Sequence, residues 1–110
     1  MERFVKGEIV ITPFPFSDLS SSVKRPALVV ANLKGDNVIL CQITTKERQD
    51  PYKSDLTIND FESGGLKINS FVMPSILFTI RNSIILYKSG KLKKEKINEI
   101  QDKIIGIIQK

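Results

Sequence analysis

The chain has 110 residues, 41% hydrophobic and 26% charged, which is the composition of an ordinary globular protein rather than a disordered one. Seventeen Lys and Arg against twelve Asp and Glu give a net charge of +5, which favours an acidic or polyanionic partner. The length fits a single domain over residues 1–110, and no run approaches the ~18 apolar residues of a membrane helix, so we expect a cytoplasmic protein without membrane association.

The absence of histidine limits the chemistry that the chain can perform. Cys41 is the one cysteine, so Ser-His-Asp and Cys-His catalysis are excluded, and no zinc site of His or several Cys ligands can form. Cys41 lies in an apolar stretch, where an unreactive buried thiol is expected. Any catalysis must rely on Arg, Lys, carboxylates, hydroxyls or the backbone, and we expect neither a metal nor a cofactor.

The N-terminal part predicts a strand followed by a long loop. Residues 7–12 have the β-branched pattern of a first strand. Residues 13–23 contain Pro13, Pro15 and a serine cluster, and prolines block regular strand pairing. A loop of this length in a small protein is more often functional than idle.

A central hairpin is predicted next. Residues 24–31 and 38–46 are apolar, β-branched runs on either side of a short turn at 33–36 that contains Gly and Asp, which is typical of antiparallel neighbours. Because both runs are almost continuously apolar, we expect the two strands to be buried on both faces.

The hairpin also predicts which side chains meet. With the turn centred between positions 34 and 35, the numbers of opposite residues sum to 69, so Ala31 faces Val38 and Arg25 faces Thr44. Directly opposed side chains share a face of the sheet. A guanidinium and a hydroxyl are therefore expected side by side where the apolar strands end.

The second half predicts further short strands and one helix. We expect strands at residues 55–58, 70–80 and 84–88, a turn or single helical turn at 59–65, a bulge or edge at Pro74, and a break at the Ser89-Gly90 pair. Isoleucines at 97, 100, 104, 107 and 108 have the spacing of a helix that packs on the sheet. The fold class is mainly β with α: a small, strongly bent antiparallel sheet or barrel with a C-terminal helix.

Several segments, in this order, resemble the MazF/PemK family, the toxins of type II toxin–antitoxin systems. They are residues 7–10, 13–16, 25–30 and 42–46, Ser70, and residues 90–92 at the start of the last helix. The resemblance runs from about Gly7 to the end of the chain. It implies an SH3-like antiparallel barrel that forms a homodimer, cleaves single-stranded RNA without metal, and is inhibited by a cognate antitoxin.

By this resemblance Arg25 and Thr44 are the catalytic pair. They would stabilise the phosphate while the RNA's own 2′-hydroxyl attacks, leaving a 2′,3′-cyclic phosphate and a 5′-hydroxyl. Asp18, Thr45 and Lys46 are candidates for proton transfer. The predicted RNA-binding residues are Phe16, Ser17, Lys24, Thr45, Lys46, Arg48 and Ser70.

Two segments depart from the common family pattern, and two other functions stay open. Phe78 stands where many members have a basic residue, and residues 17–22 replace a Gly-Ser-Glu-Gln-like loop. One alternative function is a non-catalytic barrel that binds nucleic acid or an acidic peptide. The other is a related barrel toxin that acts on a topoisomerase.

Overall fold

The protein folds around one antiparallel sheet. The computed structural model describes residues 3–13, 24–47 and 49–110, so most of the predicted first loop, residues 14–23, lies outside the described part. The described residues form these strands, two 3-10 turns and a helix: β1 Glu8–Pro13, β2 Lys24–Asn32, β3 Asn37–Thr44, β4 Ser54–Leu56, a turn at Ile58–Asp60, β5 Phe61–Gly64, β6 Ser70–Arg81, a turn at Asn82–Ile84, β7 Tyr87–Leu92 and α1 Lys94–Ile108.

The sheet is curled. Its strand order is β4-β6-β3-β2-β1-β7-β5, so the two edge strands, β4 and β5, are consecutive in the chain. Only residues 57–60 connect them, and this short link requires the sheet to bend until its edges approach each other. The predicted mainly β fold with a bent antiparallel sheet and a C-terminal helix is confirmed.

Alternate residues of the central strands enter two different cores. In β2, Leu28 belongs to a core that includes Ile100 of α1. Its neighbours Ala27 and Val29 belong to a second core that contains Phe4 and Phe78. The two cores lie on opposite faces because side chains alternate along a strand. The prediction that β2 and β3 are buried on both faces is confirmed.

The register of the β2–β3 hairpin is partly as predicted. Pairs such as Ala27 with Gln42 sum to 69, but the register shifts within the hairpin so that Ala31 faces Ile39 rather than Val38. The predicted Ala31–Val38 pair is therefore wrong. The turn is centred half a residue later than predicted, and Gly35 in this turn has a positive φ of 82°. A bulge at Val30 offsets this difference, so the predicted register returns between the bulge and the open end of the hairpin.

Two strands in the second half were not predicted correctly. Phe61–Gly64 forms β5 rather than a turn, and β7 runs through Ser89 and Gly90 instead of ending there. A Cβ on Gly90 would lie 2.7 Å from the Ser63 carbonyl oxygen. Glycine at position 90 allows β5 and β7 to approach closely, and it does not break the strand.

The predicted irregularity at Pro74 and the helix are both present. In the pairing of β3 with β6, Gln42 pairs with Met73, but the neighbouring Cys41 pairs with Leu77. The register of β6 therefore shifts next to Pro74. In α1, Ile100 is 1% exposed and fully in the core, whereas Ile108 is 73% exposed and does not belong to the packed stripe. Within the described residues, no helix has the length and apolar character needed to cross a membrane.

Candidate functional site

One transverse row of side chains crosses the sheet beyond the end of the second core. The backbone pairs are Thr12 with Arg25 on β1 and β2, Thr44 with Phe71 on β3 and β6, and Asp55 with Phe71 on β4 and β6. Paired residues of antiparallel strands share a face. We call Thr12, Arg25, Thr44, Phe71 and Asp55 the cross-strand row.

The register of β2 and β3 joins the two halves of this row. The last backbone pair of that ladder is Ala27 with Gln42, and both strands continue for two more residues. Because side chains alternate, Arg25 lies on the face of Ala27, and Thr44 lies on the face of Gln42. Arg25 and Thr44 therefore lie on the same face of the sheet, each two residues beyond the last backbone pair.

The two residues differ in burial and hydrogen bonding. Arg25 is half-buried, and Thr44 is 4% exposed. The backbone N–H of Lys46 donates to Thr44 Oγ1 at 3.1 Å. This bond uses one lone pair of the hydroxyl and fixes the position of its oxygen, while the hydroxyl proton stays available to an acceptor.

The sequence analysis singled out only Arg25 and Thr44, so three residues of the row are new: Asp55, which is exposed on β4, Thr12 and Phe71. Thr12 is fully buried, and its hydroxyl donates to the Pro13 carbonyl oxygen at 3.3 Å. Phe71 is half-buried beside Thr44. None of the three has a local motif, and only the pairing of distant strands brings them to Arg25 and Thr44.

Part of the predicted RNA-binding set lies on the opposite face. Thr45, Ser70 and Pro26 line a cleft of about 160 Å³ together with residues 66–68. Pro26 precedes Ala27 and follows Arg25 in the strand, so its side chain points away from the cross-strand row. Ser70 is 3% exposed, and its hydroxyl donates to the Ile68 carbonyl oxygen at 2.9 Å.

The other predicted RNA-binding residues fall into two groups. Lys24 begins β2, Lys46 follows β3, and both are exposed, so their ammonium groups flank the ends of the strands that carry Arg25 and Thr44. Phe16, Ser17 and Arg48, together with the proton-transfer candidate Asp18, lie outside the described residues.

A second charged cluster lies where α1 meets the sheet edge. Lys96 Nζ donates to Ser54 Oγ at 2.9 Å and to Glu99 Oε2 at 3.2 Å, and it lies 3.9 Å from Asp60 Oδ2. The Ser54 hydroxyl also donates to Glu99. We call Ser54, Asp60, Lys96 and Glu99 the helix-junction cluster. Its contacts join β4, the following turn and α1, which is a structural role.

Two titratable groups have shifted pKa values. Burial by itself raises the pKa of Glu99, but the hydrogen bonds from Ser54 and Lys96 and the charges of Lys96 and Lys103 outweigh it, so the pKa lies below its usual value. Burial raises the pKa of Cys41 to about 12, and its thiol donates to the Met73 carbonyl oxygen at 3.0 Å. The prediction of a buried Cys41 is confirmed, and a pKa this high keeps the thiol protonated and unreactive.

Solved structures with the same fold include several toxins. MazF (Form I) from Deinococcus radiodurans is 16% identical, with a TM-score of 0.76, 100% of this chain covered and 100% of that chain. An endoribonuclease from a mycobacterial species is 17% identical, with a TM-score of 0.74 and coverage of 99% and 94%. An endoribonuclease in complex with its cognate antitoxin, also mycobacterial, is 14% identical, with a TM-score of 0.70 and coverage of 96% and 94%. At these identities the likeness shows a shared fold.

Sequence comparison gives the family. No curated protein sequence matches the chain. The family model described as "PemK-like, MazF-like toxin of type II toxin-antitoxin system" matches residues 5–108. This match covers nearly the whole chain, including all five residues of the cross-strand row.

Proposed function

This chain belongs to the PemK-like, MazF-like toxins of type II toxin–antitoxin systems, and on that premise we propose that it is an endoribonuclease that cleaves single-stranded RNA without a metal ion. The observation that carries this proposal is the cross-strand row, in which a guanidinium and a hydroxyl lie on the same face near the ends of two neighbouring strands. Strand positions suit catalysis because their side chains are fixed before substrate binds.

In the proposed reaction the RNA supplies the nucleophile. Its 2′-oxygen loses its proton and forms a bond to the adjacent phosphorus, and the bond from phosphorus to the 5′-oxygen breaks. The 5′-oxygen gains one proton, so the products are a 2′,3′-cyclic phosphate and a 5′-hydroxyl with no net change in protons. Negative charge grows on the non-bridging phosphate oxygens along this path. Arg25 provides a planar pair of N–H donors for two of these oxygens, and Thr44 provides a third donor.

The hydrogen bond at Thr44 supports the donor role. The Lys46 N–H fixes the position of Thr44 Oγ1 and leaves the hydroxyl proton available to a phosphate oxygen. Donors that are fixed in advance stabilise developing charge without a reorganisation cost. Lys24 and Lys46, which are exposed at the two strand ends, are suited to bind the flanking phosphates.

We further propose three partners for this toxin: single-stranded RNA, a cognate antitoxin protein and a second copy of the chain. The net charge of +5 is suited to a polyanion such as RNA. A structural neighbour that was solved in complex with its cognate antitoxin supports the second partner. We expect the reaction to occur in the cytoplasm, where messenger RNA is present.

Incubation of the purified protein with a long single-stranded RNA in excess EDTA tests the proposal. We expect discrete fragments whose upstream ends carry a 2′,3′-cyclic phosphate and whose downstream ends carry a 5′-hydroxyl, both assigned by mass spectrometry. A DNA strand of the same sequence should stay intact because it lacks the attacking hydroxyl. Intact RNA, or fragments with 5′-phosphate ends, would contradict the proposal.

A further inference from the structure

In the loop between β3 and β4, the side chains of Glu47, Gln49, Asp50, Pro51 and Lys53 form a surface that Lys53 joins to the ring of Phe71, beside the proposed catalytic pair. We propose that the ring of Phe71 stacks one base of the RNA next to the cleaved phosphate, with Lys53 and Glu47 at its edge. This inference rests on the proposed function and adds a recognition subsite to it.

The position of Phe71 comes from its backbone pairing. It pairs with Thr44 on one side and with Asp55 on the other, so its ring shares the face of Thr44. The side chain is half-buried, which fixes the ring and leaves part of it accessible. A phosphate held by Thr44 therefore has this ring within reach of its own nucleotide.

Lys53 covers this ring in the free protein. Its Nζ lies 4.8 Å from the centre of the Phe71 ring and 3.4 Å from Glu47 Oε1, where the Glu47 side chain is 77% exposed. Because the Glu47 carboxylate is largely exposed, this ion pair is weak and holds Lys53 on the ring only loosely. The face that attracts an ammonium group is also a face on which a base can stack.

The backbone of the loop is held while the Lys53 side chain can move. The Lys53 carbonyl oxygen accepts from Lys103 Nζ at 3.2 Å, and the Lys53 N–H donates to the Asp50 carbonyl oxygen at 3.3 Å. When a base replaces its ammonium group on the ring, Lys53 can turn to the neighbouring phosphate without rearranging the loop. The displaced cation is then part of RNA binding.

The loop also provides space and polar groups for the base. A depression of about 550 Å³ is lined by Glu47, Gln49, Asp50, Pro51 and Lys53, a volume in the range of ligand sites. Asp50 holds the loop, since its carboxylate accepts from the Tyr52 N–H and the Ser75 hydroxyl, each at 2.8 Å. Glu47, released by Lys53, can only accept hydrogen bonds. Uracil presents its one N3–H between two carbonyl oxygens that repel a carboxylate, so the subsite favours a base with an amino group over uracil.

The chain offers a matched control for Phe71. Tyr87 on β7 is an exposed aromatic residue outside both the cross-strand row and the loop between β3 and β4. We expect Phe71→Leu to lower kcat/KM on single-stranded RNA about tenfold or more, the order of one base–aromatic stack. Phe71→Tyr should restore the rate, and Tyr87→Leu should leave it unchanged.

Sequencing of the 5′-hydroxyl ends supplies a readout that a purely structural role would not move. In the wild type, one position beside the cut should disfavour uracil, and Phe71→Leu should flatten the preference at that position alone. Glu47→Gln should readmit uracil there. If Phe71→Leu keeps both the wild-type rate and the wild-type base profile, the stacking role is wrong and the proposed function stands.

Binding without cleavage separates this inference from the proposed function. The probe is a 2′-O-methyl oligoribonucleotide that carries 2-aminopurine at alternate positions and cannot be cut. Wild-type protein should quench its fluorescence, and Phe71→Leu should not. Lys53→Gln should weaken RNA binding and lower the salt dependence of binding, because one cation is lost. This test does not require the Phe71→Leu variant to fold. A protein that cleaves no RNA refutes the proposed function, and absence of quenching refutes the stacking inference.

Discussion

The helix-junction cluster and the cross-strand row contain similar residue types but use them differently. In the cluster, Lys96 is 7% exposed, and its ammonium group has three oxygen neighbours that come from β4, the following turn and α1. In the row, Arg25 and Thr44 are near the ends of two strands, beyond the apolar core. A buried cation enclosed by its own protein holds elements together, whereas we propose that Arg25, at the open end of the sheet, binds an RNA phosphate.

The largest effect should follow from the loss of the guanidinium in the row. Arg25→Ala should lower RNA cleavage by about 10² to 10³, the value of one fixed donor to a developing oxyanion, with a change in the free energy of unfolding below about 1 kcal/mol. Single-turnover cleavage and urea denaturation measure the two quantities. Arg81→Ala is the matched control, because Arg81 is exposed at the far end of β6, and it should cut at the wild-type rate.

Removal of the hydroxyl in the row should have the next largest effect. Thr44→Val keeps the shape of the side chain and should slow cleavage by about 10², whereas Thr44→Ser should keep most of the rate. Rates for the two variants on one RNA substrate make the comparison. Equal rates for Thr44→Val and the wild type would show that the hydroxyl has no part in the reaction.

In the helix-junction cluster the effect should be on stability instead. Lys96→Met removes a buried cation and leaves its carboxylate partners without a counter-charge, which should lower the free energy of unfolding by about 1 to 3 kcal/mol. The loss would be larger for a fully buried ion pair, but the Glu99 side chain is 45% exposed and screened by water. Chemical denaturation at neutral pH measures this. The folded variant should cleave RNA as the wild type does, and a stable but inactive variant would contradict the contrast between the two regions.

The smallest effect concerns pH. The pKa of Glu99 is lower in the folded protein than its ordinary value of 4.5. The ionised Glu99 side chain therefore stabilises the fold at pH values above 4.5, and this stabilisation is lost as the pH falls through the pKa of Glu99 in the folded protein. Urea denaturation at pH 7 and pH 3 should therefore show a smaller loss of stability for Glu99→Gln than for the wild type. An equal loss in both proteins would show that Glu99 does not carry this pH dependence.

The parts of the site that sequence could predict depend on neighbouring residues. The register predicted from one short turn and two apolar runs is present at Ala27 and Gln42. The bulge at Val30 was not predictable, because it compensates for a turn whose centre lies half a residue later than predicted. Thr12, Phe71 and Asp55 were missed because their places in the row depend on pairings between strands that the sequence pattern does not specify.

The edge of the sheet was harder to predict for a different reason. β5 has four residues, of which only Phe61 is buried, so it shows no alternating pattern. Its pairing with β7 depends on the close approach at Gly90, and a glycine pair in sequence alone indicates a turn. The helix-junction cluster was also not predicted, because Ser54, Asp60 and Lys96 meet only after the sheet has curled.

A double-mutant cycle on RNA cleavage tests most directly whether Arg25 and Thr44 act together. The account predicts that Arg25→Ala combined with Thr44→Val cleaves about as slowly as Arg25→Ala alone, because both groups hold the same phosphate and residues that act as a unit are not additive. A double variant whose loss equals the product of the two single losses, or a single variant at the wild-type rate, would contradict it.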